Sequence, residues 1–167
     1  MKLLACISLC ALVIASLINV AKAFEIQGRG MATLMNFDNS TISEDSLEKR
    51  KQRGTWYSGN DLKNAACYDR NGLPAYSASI NSMIGAMAMK KFENCYKCMK
   101  ITNKKNKKTV TVKIVDKCAG CIVNKAIDLT PAAFKKLANL NDGVIDITWK
   151  AVTCPKSQKP SYGPKKK

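Results

Sequence analysis

Six cysteines between positions 67 and 154 constrain this chain more than any other feature: Cys67, Cys95, Cys98, Cys118, Cys121 and Cys154. An even number of thiols in a short exported domain marks a disulfide framework, and six thiols can pair in fifteen ways, among which spacing alone does not choose. The alternative for Cys95-Tyr-Lys-Cys98 and Cys118-Ala-Gly-Cys121 is a four-thiolate zinc site, because a repeated CxxC pair offers the ligands zinc prefers. Export weighs against zinc, since thiols oxidise outside the cell and Cys67 and Cys154 are then natural bridge partners. A redox CxxC would need a strand-to-helix setting that the sequence lacks. The reading is three disulfides, with no metal and no cofactor.

Export rests on residues 1 to 23. Lys2 precedes an apolar stretch from Leu3 to Val20, and Ala21-Lys22-Ala23 presents the small residues a signal peptidase reads. Ser8, Ser16 and Asn19 interrupt the stretch, which is short for a membrane-spanning helix. Cys6 and Cys10 leave with this signal. The expected product is secreted and extracellular, with no membrane attachment after signal removal.

The 28 basic residues outnumber the 12 acidic ones, for a formal charge of +16, and there is no histidine. Every mechanism that depends on histidine is therefore excluded, including Ser-His-Asp and Cys-His hydrolysis, HExxH zinc proteolysis and His-ligated catalytic zinc. The first fifty residues balance in charge, so the excess lies behind them. Residues 24 to 50 hold a polar, acidic run, Asn36 to Ser46, without sustained period, and read as a flexible segment. That segment ends at Lys49-Arg50, a dibasic site that would make it a propeptide, and it contains the sequon Asn39-Ser-Thr41.

The pattern then turns to strands. Val110, Val112 and Ile114 alternate with Thr109, Thr111 and Lys113, which predicts a half-buried strand ending at Asp116. The polar turn Asn103 to Lys108 would join it to a strand near Tyr96 to Thr102 as a hairpin with an exposed lysine-rich tip. Thr130 as N-cap, Pro131 at the first helical position, and Phe134, Leu137 and Ala138 on one face predict a helix of about two turns. After the Asn141-Asp-Gly143 turn, Ile145, Ile147, Trp149 and Ala151 share one face of a final strand. Residues 156 to 167 read as a basic disordered tail.

Three patches occur in one order: Gly54-Thr-Trp-Tyr57 with Ala66-Cys67; Val115-Asp-Lys-Cys-Ala-Gly-Cys121; and Ile127-Asp-Leu-Thr-Pro-Ala-Ala-Phe134 with Gly143-Val-Ile-Asp-Ile-Thr-Trp149. The set resembles the double-psi β-barrel superfamily of expansins, rare lipoprotein A domains, barwin-like proteins and kiwellins, over about Arg53 to Pro155. The resemblance implies a mainly β fold: a six-stranded double-psi β-barrel over 53 to 155, with short helices, braced by disulfides and crossed by a groove. It also implies groove residues at Thr55, Asp116 and Asp128. Physical reasoning runs alongside. Asp116, ending an apolar strand, is expected to have a raised pKa unless a donor compensates, as suits a general acid; Asp128, just ahead of a helix, is expected to favour its ionised form. Such a pair can divide acid and base roles. Alternatively, Asp128 helps cap the helix and Asp116 accepts backbone hydrogen bonds in the loop.

Departures from the superfamily shape the functional expectation. Rare lipoprotein A is expected to use a histidine, and expansins carry a second, aromatic-lined domain; this sequence holds neither. The first expectation is a monomeric, secreted, single-domain expansin-like protein that binds cell-wall or matrix polysaccharide without hydrolysing it. Trp56, Tyr57, Tyr68, Tyr76 and Tyr96 are candidate sugar-stacking residues, while Trp149 is expected in the core. The alternative is an inhibitor or effector acting on a secreted protein target through the loops Asp69 to Ala75 and Lys104 to Lys108. A glycan-cleaving enzyme comes third. Nucleic acid is not an expected partner, because export and scattered lysines make the charge a solvated surface that favours adhesion to acidic polymers.

Overall fold

In the computed structural model, which describes residues 26–37, 56–57, 65–68 and 81–158, six strands close into a barrel. The elements in chain order are β1 (Gln27–Leu34), β2 (Asn36–Phe37), β3 (Trp56–Tyr57), β4 (Ile84–Met87), β5 (Cys98–Asn103), β6 (Thr109–Asp116), β7 (Ala126–Leu129), α1 (Pro131–Lys135), a 3₁₀ turn (Leu140–Asp142) and β8 (Val144–Val152). Around the barrel the order is β1-β7-β4-β6-β5-β8, and β2 and β3 form a separate parallel pair. The β1–β7 and β4–β6 pairs are parallel and the other four contacts antiparallel. Closure leaves no free edge among these six strands. No described helix is long and apolar enough to cross a membrane.

The alternating strands form as their patterns predict. On β6, Val112 and Ile114 are buried and Thr109 is exposed; on β8, Ile147 and Trp149 are buried, with Ile145 and Ala151 packed against the core. The β5–β6 hairpin carries exposed lysines at its tip, and asparagines anchor it. The side-chain amides of Asn103 and Asn106 donate to the Leu137 carbonyl at 3.1 and 2.8 Å, tying the tip to the end of the α1 region. Thr130 stands at the N-cap of α1 but caps nothing with its side chain; its hydroxyl donates to the Ser82 carbonyl at 2.5 Å and fastens the helix to the chain entering β4. Phe134 and Leu137 fill the core beneath.

One expectation fails. Residues 24 to 50 are not uniformly flexible, because Gln27–Leu34 is a barrel strand held between β7 and β8. The barrel thus begins near Ile26 rather than Arg53. The reason lies in two glycines that depress strand propensity yet are required by close packing. A Cβ at Gly28 would collide with the indole of Trp149, and one at Gly30 with the Lys125 carbonyl. The signal stretch 1–23, the dibasic site at 49–50 and the tail from 159 lie outside the described residues.

The cysteines pair as Cys67–Cys95, Cys98–Cys154 and Cys118–Cys121. Cys95 and Cys98 enter different bridges, so the two CxxC sequences do not converge as a four-thiolate zinc site. Tyr68 and Tyr96, expected as sugar-stacking residues, are core residues instead, 6% and 4% exposed. With their rings covered they offer no face to a sugar.

Candidate functional site

Asp116 and Asp128 lie in one row across three neighbouring strands. Ala86 of β4 is the register partner of Asp116 on β6 and of Asp128 on β7. Two strand spacings separate the carboxylate-bearing backbones, roughly 9.5 Å. The residue between them is a fully buried alanine, which keeps that space small and apolar.

Asp116 ends its strand as expected, and its Oδ1 accepts two main-chain N–H groups, from Ala66 at 2.7 Å and Lys117 at 2.8 Å. The Ala66 contact is reinforced by Cys67, whose N–H donates to the Val115 carbonyl at 3.1 Å and whose sulfur is bridged to Cys95. Two patches distant in sequence, Ala66-Cys67 and Val115-Asp116, are thereby locked side by side.

Asp128 sits within β7, paired with Thr33 of β1 and Ala86 of β4, and has no exposed surface. Its neighbour is Cys121, whose Sγ lies 3.7 Å from both carboxylate oxygens. Bridged to Cys118, that sulfur has no proton to donate. Cys118, Cys121 and Asp128 bring possible ligand atoms within 4.8 Å of one another, but sulfurs joined in a disulfide are not thiolates and do not ligate a metal in this state. The Cys118–Cys121 loop also binds β4, through the Cys118 N–H to the Met87 carbonyl at 3.3 Å. The loop therefore covers the Asp128 end of the row, and beyond it Ile122 projects 62% exposed.

Of the other expected site residues, Thr55 and Tyr76 lie outside the described residues. Trp56 and Tyr57 form β3 against Asn36 and Phe37. Two participants were not legible as site residues: Ala86, whose importance is its smallness between two aspartates, and Cys121, whose contact with Asp128 arises only from folding. The spacing Cys121 to Asp128 was the one available signal.

Comparison with known proteins bears on the family and the fold. Residues 50–149 match the family described as lytic transglycolase. The chain belongs to this double-psi β-barrel family. The match leaves out β1. The chain is 37% identical over 107 residues to expansin-like protein 3 of Dictyostelium discoideum, covering 60% of this chain and 31% of that protein. It is 40% identical over 81 residues to expansin-like protein 5 of the same organism, covering 44% of this chain and 34% of that protein. The chain thus spans about a third of the length of these curated relatives. Among solved structures, a mutant Clavibacter michiganensis expansin in complex with cellohexaose is similar, at 26% identity and a TM-score of 0.50 over 78% of this chain and 52% of that one.

Proposed function

We propose that this barrel is a secreted expansin-like protein that binds cell-wall or matrix polysaccharide at the surface over the Asp128–Ala86–Asp116 row, without hydrolysing it. The observation that carries the reading is the state of the two carboxylates. Asp128 has no exposed surface and Asp116 is 8% exposed with two main-chain donors on one oxygen. A hydrolytic pair must reach both the glycosidic oxygen and an attacking water, whereas carboxylates held like these fix the shape of a groove and its loops. Support for a polysaccharide partner comes from the likeness to an expansin solved with cellohexaose. Secretion is supported by three disulfides, which persist in oxidising compartments.

The test is depletion of the purified protein by insoluble cellulose, chitin and peptidoglycan at low and high salt. Retention on one polymer at high salt, reduced about tenfold by Asp116→Ala, equivalent to about 1.4 kcal/mol, is the expected result. Reducing ends or anhydro-sugars released by the wild type and lost in Asp128→Asn would replace binding with cleavage. High-salt retention indifferent to both aspartates, or none at all, would overturn the reading. Activity against a secreted hydrolase that survives both aspartate changes but fails on altering Lys104 to Lys108 would make it an inhibitor.

A further inference from the structure

The tip of the β5–β6 hairpin and the end of α1 form a surface that the aspartate row does not use. Lys104, Lys105, Lys107 and Lys108 occupy the tip, Lys135 ends α1 and Lys136 follows it, and all six are exposed. Folding joins the two groups: Asn103 and Asn106 both donate their side-chain amides to the Leu137 carbonyl, one residue beyond Lys136. The tip is itself closely bonded. Asn103 Oδ1 accepts the Lys105 N–H at 2.8 Å, Asn106 Oδ1 accepts the Lys108 N–H at 3.0 Å, and the Lys107 N–H donates to the Asn103 carbonyl at 3.0 Å. The lysine stems therefore rise from a fixed backbone.

Two features distinguish this array from an ordinary solvated face. Among the described residues, none of the six ammonium groups has a hydrogen bond or an ion pair. Carboxylates border the array at Asp142 of the 3₁₀ turn and at Asp146, whose carbonyl accepts the Lys104 N–H at 2.9 Å, yet both are left unused by the lysines. The second feature is conformational. Lys107 lies in the left-handed region, at a φ of 61°, where a glycine would sit without strain. A lysine held there at a conformational cost points to a use for its charge.

We propose that this lysine patch binds a linear acidic polysaccharide through carboxylates spaced along the polymer; the choice of a polysaccharide rests on the function proposed above. A single exposed lysine–carboxylate pair contributes little in water and is screened by salt, so a small anion would not be retained. A polyanion engages several lysines at once, each contact after the first being intramolecular. Lysine ammoniums are compact charges on flexible stems and suit dispersed carboxylates, where one shaped anion would favour the arginine fork. Single-stranded nucleic acid would want an open aromatic face for stacking, and a membrane surface would want apolar side chains beside the cations. The exposed residues of the patch, 104–109, 135, 136 and 139, are all Lys, Asn or Thr and offer neither.

The test measures binding of the full secreted protein to polygalacturonate, to an oligo-dT strand and to vesicles containing phosphatidylserine, at several salt concentrations. Lys104→Glu/Lys107→Glu and, separately, Lys135→Glu/Lys136→Glu should each lower polygalacturonate affinity at least tenfold. Lys91→Glu/Lys97→Glu, the same charge change at exposed lysines between β4 and β5, should lower it under threefold. Lys107→Gly removes the strain together with the charge, so it should melt higher than the wild type and bind polygalacturonate more weakly. Circular dichroism melts confirm that each variant folds. Equal losses in patch and control variants would reduce the effect to net charge and overturn the site. Losses confined to the hairpin pair, a Lys107→Gly protein that binds like the wild type, or tighter patch-dependent binding of oligo-dT or vesicles would overturn it as well. Asp116→Ala is the separating arm: it should leave polygalacturonate binding intact while lowering retention on the neutral polymer. Patch-dependent polygalacturonate binding without any neutral-polymer retention would sink the aspartate-row reading and leave the patch standing.

Discussion

Lys113 is buried against its chemistry. It faces Ile84 and Cys98 across β6 and is 3% exposed, and loss of water contact pushes its amine below the ordinary lysine value of 10.5. Below the lowered folded value both folded and unfolded chains carry the proton, and the folded state bears the net cost of burying it. Between that value and 10.5 the unfolded chain binds more protons, so stability rises with pH. Lys113→Met keeps the stem and removes the charge. It should be more stable than the wild type at pH 7, and its advantage should shrink as pH climbs toward and past 10.5. Urea denaturation of the two proteins across that range decides the matter; a gap that stays constant, or a variant less stable at pH 7, contradicts the account. The pattern of β6 already marked Lys113 as facing away from Val112 and Ile114, but its partners across the sheet come from β4 and β5, beyond the reach of local alternation.

The same distinction separates the legible elements from the hidden ones. β6, β8 and α1 each have one buried and one wetter face, and so print a period on the sequence. β4 and β7 are covered on both faces, with all four residues buried in each, and print none. β1 was hidden by glycines that exist because Trp149 and the Lys125 carbonyl crowd it. In the site, Asp116 and Asp128 were legible through the resemblance, while their common partner Ala86 and the disulfide beside Asp128 required the barrel register. The bridges rank by the chain they close. Sequence separations of 56, 28 and 3 residues for Cys98–Cys154, Cys67–Cys95 and Cys118–Cys121 correspond to about 4, 3.5 and 2 kcal/mol of loop-closure entropy. Paired Cys→Ser variants should therefore lose stability in that order. The Cys118→Ser/Cys121→Ser protein should still melt cooperatively while losing polymer retention, because its bridge packs on Asp128. Guanidinium titration combined with the depletion assay checks both parts; an inverted order, or retention unchanged without the bridge, tells against this division of labour.

At the scale of the whole molecule, the consequential fact is that β1 lies ahead of the dibasic Lys49-Arg50 and closes the barrel between β7 and β8. Its loss would open both neighbours as bare edges. Ala32, Leu34 and Met35 are fully buried, and covering Leu34 and Met35 alone contributes about 5 kcal/mol, comparable with the roughly 5–15 kcal/mol stability of a whole domain. No cysteine lies between residues 24 and 66, so a cut after Arg50 would leave β1 held only by its ladders and core contacts. A protein starting at Lys51 should consequently fail to melt cooperatively and should bind ANS, while one starting at Phe24 melts in a single transition. Adding a peptide of residues 24 to 50 should restore the transition. If the secreted protein is cut at Arg50, the two pieces should copurify under native conditions and part in denaturant without reductant. A chain from Lys51 with a cooperative melt and an unchanged near-ultraviolet spectrum would return residues 24 to 50 to the status of a removable propeptide.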